Sequence, residues 1–424
     1  MDYHEHLAKH LPADLLQGYF DVLSLSSIHA LILNTEKMSD EAFLRLFPNA
    51  HPHPYIPHCY TYDEKEYALG KSLYHALGAY YIMDPSAMMV PYMLQPLPGE
   101  RILDLCGAPG GKSVFASMMM GNKGVLLCND LSYSRALEAS SNVERMGRGN
   151  IAVTSGDFAL AKDAYQGYFD AILLDVPCSG SAMFRKEPKM ALDWSEGKVL
   201  SLAPKQRELL EIASTMLASG GRIAYSTCSF SYEEDEGVLS AFLKDHPEFE
   251  AVSLRDDPSF YHHPDLPQGI RLFPHRFLGE GQFLCLLRHK GEKEARHEEK
   301  VHPLPKGYPE ELSAFDYRKV NDLDYALSMP LRIQNLSLLR YGVKLSQKEQ
   351  VCPLDHALAS FLPDTLSIPL DEPQAKAYLR GETFPIKEKD GLAIVSYQGM
   401  NMGYVKIVKG RAKNHYPKGL RRIY

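Results

Sequence analysis

At 424 residues, with 45% hydrophobic and 23% charged side chains, the chain is too long for one comfortable core and reads as an ordinary globular protein of two or three domains. Its 7 cysteines form no CxxC pair and no metal-ligand spacing, and an odd number with several in apolar runs argues against a disulfide framework and for a reducing compartment. The opening MDYHEHLAKHLPADLLQGYF is charged throughout, so neither a secretory signal nor a membrane span is expected, and the reading is cytoplasmic with no membrane partner.

Residues 1–70 begin helically, with DEAFLRLF well patterned, and end in the proline- and histidine-rich stretch HPHPYIPH. They read as a substrate-facing appendage; with no second ligand cluster, the histidines predict a loop and no metal. From 71 to 290 the apolar strands ILDLC, VLLCND, IAVTS, AILLDVP and GRIAYSTCS alternate with helical stretches, which predicts an α/β fold with a doubly wound, mostly parallel sheet. FEAVSL, RLFPHRF and GQFLCLL read as its closing strands. The stretch RHKGEKEARHEEKVH, residues 288–302, is dense in charge and free of Phe, Tyr and Trp, and residues 291–303 read as a linker. An intermediate module over 304–366 and a smaller β-rich module of short strands and turns over 367–424 complete the chain.

Two cysteines close predicted strands, Cys178 in LLDVPCSG and Cys228 in AYSTCS, flanked by the proline, serine, threonine and glycine of turns. If those strands are parallel neighbours, their ends lie about 5 Å apart and both thiols open into one crevice. A thiolate can add to an electron-poor carbon such as pyrimidine C6, and a second thiol can remove the proton that ends such a reaction. Cys106 and Cys128, inside apolar runs, read instead as small buried side chains.

The stretch DLCGAPGGKS, residues 104–113, follows one strand and precedes the helix-like VFASMMM. Glycine and Pro109 make a tight turn, and the helix start offers unpaired N–H groups to a ligand. Gly107, Gly110 and Gly111 are spaced GxxGG, which is neither the dinucleotide fingerprint nor a phosphate-cradling loop, so a phosphate-free nucleoside fits better. Lys112 reads as either a solvated first-turn lysine or a functional group. Asp130, Asp157 and Asp175 stand at the ends of the next strands, where carboxylates can accept from a ribose diol or a base amino group; Asp157 alone reads equally well as a helix N-cap.

These motifs, with DVPCSGSAMFRK, YSTCSFSYEEDE, RLFPHRFLGEGQF and the closing KNHYPKGLRR, resemble the Sun/Fmu-type RNA cytosine-5 methyltransferases, and more closely the bacterial RsmF-like subgroup that modifies small-subunit ribosomal RNA. The resemblance implies a class I, Rossmann-like methyltransferase domain followed by a small β-rich RNA-binding domain, acting on ribosomal RNA or the assembled small subunit. It implies Cys228 as nucleophile, Cys178 as the group that assists release, and Asp175 against the cytosine ring and the cofactor. It further implies S-adenosyl-L-methionine as cofactor, its methionine part held by Cys106, Gly107, Ala108, Pro109, Gly110, Gly111 and Lys112, its ribose by Asp130 and its adenine by Asp157. The chain departs from the family at Met83, where a glutamine is usual. Rival readings are another RNA such as tRNA as substrate, a DNA cytosine-5 methyltransferase in which Cys178 attacks, and a non-catalytic assembly factor.

A net charge of −7 runs against an RNA partner, but its distribution does not. From Tyr404 to Tyr424 the chain carries Lys406, Lys409, Arg411, Lys413, Lys418, Arg421 and Arg422 with no acidic residue, interleaved with His415 and Tyr416. Lys413, Asn414, Tyr416, Lys418, Arg421 and Arg422 are therefore expected to contact RNA by phosphate binding and stacking, and Arg185 and Lys186 to hold backbone phosphate beside the Cys178 turn.

Overall fold

The structure, a computed structural model, describes residues 2–255, 257–293, 298–346, 354–362, 366–417 and 420–421. Its centre is five parallel strands: β1 (Arg101–Asp104), β2 (Val125–Asp130), β3 (Ile151–Ser155), β4 (Phe169–Asp175) and β5 (Leu217–Thr227). They are arranged β3-β2-β1-β4-β5, so strand order reverses between β1 and β4 and a crevice opens beyond their carboxyl ends.

Successive residues of these strands point to opposite faces, and both faces are covered. Ile102, Leu126, Val153 and Leu173 meet Val114 and Phe115 of the helix Gly111–Met119, Val143 of Tyr133–Met146 and Met89 of Pro85–Leu94. Leu103, Leu127, Ala152 and Leu174 meet Leu210 and Ala213 of the helix Glu196–Met216 and Leu239 of Glu236–Asp245. Two-sided burial explains why the strands read as continuous apolar runs. Beyond β5 the expected closing strands appear: β6 (Leu266–Leu272) and β7 (Gln282–His289) are antiparallel, and Phe249–Val252 pairs with β7. In RLFPHRF only Arg271 and Leu272 lie on a strand, and Phe273 onward is a turn.

The flanking regions are woven into this body. The strand β8 (Ser337–Tyr341), in the stretch expected to be an intermediate module, pairs antiparallel with β3 and covers that sheet edge. Arg340 of β8 forms an ion pair with Glu144. Near the N-terminus, His51–Pro52, Cys59–Tyr62, His29–Leu33 and Tyr80–Ile82 make a four-stranded sheet. Leu31, Leu33 and Tyr80 on one side of it share a core with Tyr378, Leu379 and Val395 of the last module, while Ala30, Ile32 and Tyr81 pack toward the central sheet. The last module is a five-stranded sheet carrying the helix Glu372–Arg380. Among the described residues no helix is long and apolar enough to cross a membrane.

Candidate active site

The two cysteine strands are neighbours. Asp175, the last residue of β4, is in register with Ser226 of β5, and the turns that follow bring Cys178 and Cys228 together with their Sγ atoms 2.7 Å apart. The Cys228 N–H also points at Cys178 Sγ, at 3.2 Å. Both thiols line a cleft of about 560 Å³ together with Cys106, Ala108, Asp130, Asp157 and Asp175. The hydrogen bond with Cys228, then burial, then the charges of Cys228, Glu234 and Asp175 hold the Cys178 thiol well above the ordinary thiol value.

Asp175 is held by three donors. Lys112 Nζ lies 2.7 Å from Oδ2, while Ser226 Oγ at 2.6 Å and Gln282 Nε2 at 3.1 Å donate to Oδ1. Lys112 is therefore no solvated lysine; it is an ion-pair partner, with its own proton held above the ordinary lysine value against desolvation chiefly by Asp175. Gln282 and Ser226 were not singled out from the sequence. Gln282 stands at the start of β7, in a quoted motif whose strand pairing alone reveals the contact.

The glycine turn is built by close approach. A Cβ on Gly107 would stand 2.5 Å from Cys128 Sγ, and Gly110 has a φ of +99°, so both positions demand glycine. The turn is pinned from the neighbouring helix, where Arg135 donates to the Ala108 carbonyl at 3.0 Å and Asn142 to that of Pro109 at 2.9 Å. Asp104 beneath it is buried and accepts from Ser113 at 2.6 Å, and burial raises its carboxyl to about 7. Asp130 accepts the Ser132 N–H at 2.9 Å and keeps its other oxygen toward Arg135, 3.5 Å away. Asp157 is the helix N-cap, accepting from Ala159 N–H at 2.8 Å at the start of Phe158–Ala161, and it also lines the cleft.

Several expected RNA contacts do not hold. Arg185 is buried, its Nε donating to Glu280 at 2.9 Å and its Nη2 to the Gly279 carbonyl at 2.6 Å, so its charge is spent inside the fold and cannot hold phosphate. Lys186 beside it is exposed. Tyr416 is buried against Tyr378 and His356, which removes it as a stacking platform. Asn414 donates to the carbonyls of Tyr378 and Glu382 and accepts from Tyr416 N–H, a turn-locking role. Arg421 is exposed but donates to the Tyr416 carbonyl at 3.1 Å, and Lys413 is exposed on the strand Arg411–Asn414. Lys418 and Arg422 lie outside the described residues.

His53 of the histidine-rich loop accepts backbone N–H groups from Tyr55 and Ile56, and burial lowers its basicity to about 4. Among the described residues the one grouping with metal-ligand proximity is Glu144, Asp355 and His356, but Arg340 and Lys344 already neutralise its carboxylates.

Two family profiles match the chain: 16S rRNA methyltransferase RsmB/F over residues 91–288, and the methyltransferase RsmF PUA domain over residues 365–422. The ribosomal RNA small subunit methyltransferase F of Shewanella sediminis is 29% identical, with 99% of this chain and 96% of the relative covered. Its counterpart in Shewanella loihica is 30% identical over 83% of this chain and 79% of its own length. Among solved structures, NSun6 from Pyrococcus horikoshii with SFG superposes with a TM-score of 0.61 at 19% identity, covering 69% of this chain and 98% of that one. A methyltransferase homolog protein from Pyrococcus horikoshii gives 0.57 at 23% identity, covering 67% and 93%. At these identities the two structures speak for the fold.

Proposed function

Because the chain belongs to the RsmB/F family of 16S rRNA methyltransferases, we propose that it transfers a methyl group from S-adenosyl-L-methionine to C5 of a cytosine in small-subunit ribosomal RNA, through a covalent bond between Cys228 and C6. The observation that carries this reading is the pair of thiols at the ends of adjacent strands, 2.7 Å apart and facing one cleft with Asp175.

The residues of the cleft fit that cofactor. Asp130 and Asp157 can accept from a ribose diol and an adenine amino group, and Leu105, Phe158 and Val176 give the apolar walls a purine needs. Among the described residues Arg135 is the one basic side chain lining the cleft, already facing Asp130 and the Ala108 carbonyl, which suits a nucleoside without phosphates. Bound there, S-adenosyl-L-methionine supplies a methyl group on a positively charged sulfur.

The chemistry assigned to the chain runs through three side chains. The flipped cytosine lies with its ring edge toward Asp175, which Lys112, Ser226 and Gln282 hold in place. Cys228, its thiol proton released to solvent, bonds to C6 as the thiolate, and the ring electrons move to C5, which takes up the methyl group as that group's bond to the sulfonium sulfur breaks and a neutral thioether is left. Cys178 then accepts the C5 proton, the C5–C6 double bond reforms and the Cys228–C6 bond breaks. The first cause of the Cys178 thiol's high value is its hydrogen bond with Cys228, so covalent capture of Cys228 removes that cause, and Cys178, after releasing its own proton to solvent, acts as the base.

The exposed Lys186 beside the Cys178 turn and Lys413 on the last module provide charge for RNA phosphate. The test is incubation with methyl-labelled S-adenosyl-L-methionine and either small-subunit ribosomal RNA, tRNA or DNA, followed by nucleoside analysis. Label in 5-methylcytosine of the ribosomal RNA is expected. Label confined to tRNA or DNA, or no turnover, overturns the assignment.

A further inference from the structure

One carboxylate ties together the two turns that carry the cysteines. Ser179, the residue after Cys178, donates its N–H to Glu234 Oε1 at 2.8 Å and its hydroxyl to Oε2 at 2.5 Å. Ser229, the residue after Cys228, donates its hydroxyl to the same Oε2 at 2.5 Å, and the two serine oxygens lie 3.1 Å apart. Gln206, reaching in from the helix Glu196–Met216, donates to Oε1 at 3.0 Å and to the Pro177 carbonyl at 2.9 Å. Glu234, Ser179, Ser229 and Gln206 are all fully buried. The partners of this carboxylate are neutral hydroxyl, amide and backbone donors, and among the described residues no basic side chain lies within 4.0 Å of it. Burying a carboxylate away from any cation is costly, and scaffolding alone is served as well by neutral groups.

We propose that Glu234 is a positioning residue for the methylation reaction, fixing the spacing of the Cys178 and Cys228 turns and presenting its negative charge to the Cys178 side of the pair. This deepens the covalent mechanism above and rests on it. The groups around Cys178 are Cys228, Asp175 with its partner Lys112, Glu234, Tyr225, whose hydroxyl donates to the Glu234 carbonyl at 2.6 Å, and Lys198, whose Nζ lies 3.4 Å from the Ser179 carbonyl. Of these, Cys228 raises the thiol most, Glu234 and then Asp175 raise it further by their charge, and of those two carboxylates Glu234 is the one that touches both cysteine turns. Its charge adds to burial in keeping Cys178 protonated while Cys228 attacks.

The experiment titrates Cys178 itself, so it does not depend on which nucleic acid is methylated. In a Cys228→Ala background, alkylation of Cys178 by iodoacetamide is followed against pH by mass spectrometry of its peptide, with and without Glu234→Gln, Glu234→Asp, or Ser179→Ala with Ser229→Ala. Loss of the charge in Glu234→Gln is expected to move the midpoint down by about half a pH unit or more, roughly a threefold gain in thiolate at a given pH. Glu234→Asp restores it. Removing the two hydroxyls leaves the charge less neutralised and moves the midpoint up. Calorimetric titration with S-adenosyl-L-methionine verifies that each variant is folded. If Glu234→Gln does not fold, the serine pair carries the test through its upward shift. Equal midpoints in folded variants, or shifts of one sign for all, overturn the proposal. Absence of 5-methylcytosine with these shifts intact overturns only the mechanism on which it rests.

Discussion

Ser226 and Asp175 stand opposite each other at the ends of two adjacent parallel strands, and the serine hydroxyl donates to Asp175 Oδ1 at 2.6 Å. That bond fixes the last turn of both strands, so the Pro-Cys turn after Asp175 and the Thr-Cys turn after Ser226 leave the sheet side by side. The pairing of the thiols is thus a property of sheet register, set by a core in which Ile172, Leu174, Ile223 and Tyr225 are fully buried.

Replacing the attacking thiol separates chemistry from binding. Cys228→Ala is expected to abolish methyl incorporation while leaving affinity for S-adenosyl-L-methionine within about threefold, because Asp130, Asp157 and the glycine turn are untouched. Retained turnover in labelled-methyl assays counts against Cys228 as nucleophile.

Removing Cys178 alone leaves attack and methyl transfer possible but stops elimination. Cys178→Ala is expected to accumulate protein covalently joined to RNA that survives denaturing electrophoresis, and the adduct disappears when Cys228→Ala is added. A trapped adduct in Cys228→Ala instead assigns the attack to Cys178, as in the DNA-type arrangement.

The alternation of apolar strands and helices was legible because each central strand is buried on both faces and each crossover is local in sequence. Less legible were features whose partners lie far along the chain. The strand Ser337–Tyr341, exposed at Ser337, half-exposed at Leu338 and Leu339 and buried at Arg340 and Tyr341, makes sense only against Ile151–Ser155. Arg185 reads as a free cation until Glu280, at a sequence separation of 95, folds onto it. Tyr416 sits in a basic run, yet its ring fills the core beside Tyr378. Glu234 belongs to EEDE at the end of the motif YSTCSFSYEEDE, where nothing sets it apart from its acidic neighbours; only the fold shows Ser179 and Ser229 bound to it.

The buried ion pair makes a stability prediction where a binding one was first expected. Arg185→Ala leaves Glu280 buried without its cation, at an expected cost of about 3–5 kcal/mol in urea unfolding, with little change in the salt dependence of RNA binding at temperatures where the variant is folded. Unchanged stability with a flattened salt dependence returns Arg185 to phosphate binding.

Asp104 makes a pH prediction. Burial raises its folded-state carboxyl to about 7, whereas the unfolded chain releases that proton near the ordinary carboxylate value, about 4. Between those values the native state binds more protons than the unfolded one, so this group's contribution to stability is greatest below about pH 4 and is lost as pH rises toward 7. Asp104→Asn removes that loss. Its unfolding free energy is expected to gain on the parent progressively from pH 4 to pH 7 and to gain nothing further above; parallel profiles from thermal or urea unfolding refute the assignment.

The last module presents cations on one face of its sheet. In the strand Arg411–Asn414 the exposed Arg411 and Lys413 alternate with the buried Ala412, and Lys413 is in register with Lys406 on the neighbouring strand. Replacing Lys406, Arg411 and Lys413 together by serine is expected to weaken RNA binding and to lower the slope of log affinity against log salt by about 2, near 0.7 for each phosphate contact to single-stranded RNA. Affinity for S-adenosyl-L-methionine stays the same, since that cleft is lined by other residues. Tyr416→Ala, in contrast, empties a core position and is expected to cost about 3 kcal/mol of stability. An unchanged salt slope in the triple variant shows that this face looks into solvent and that the RNA is held elsewhere on the molecule.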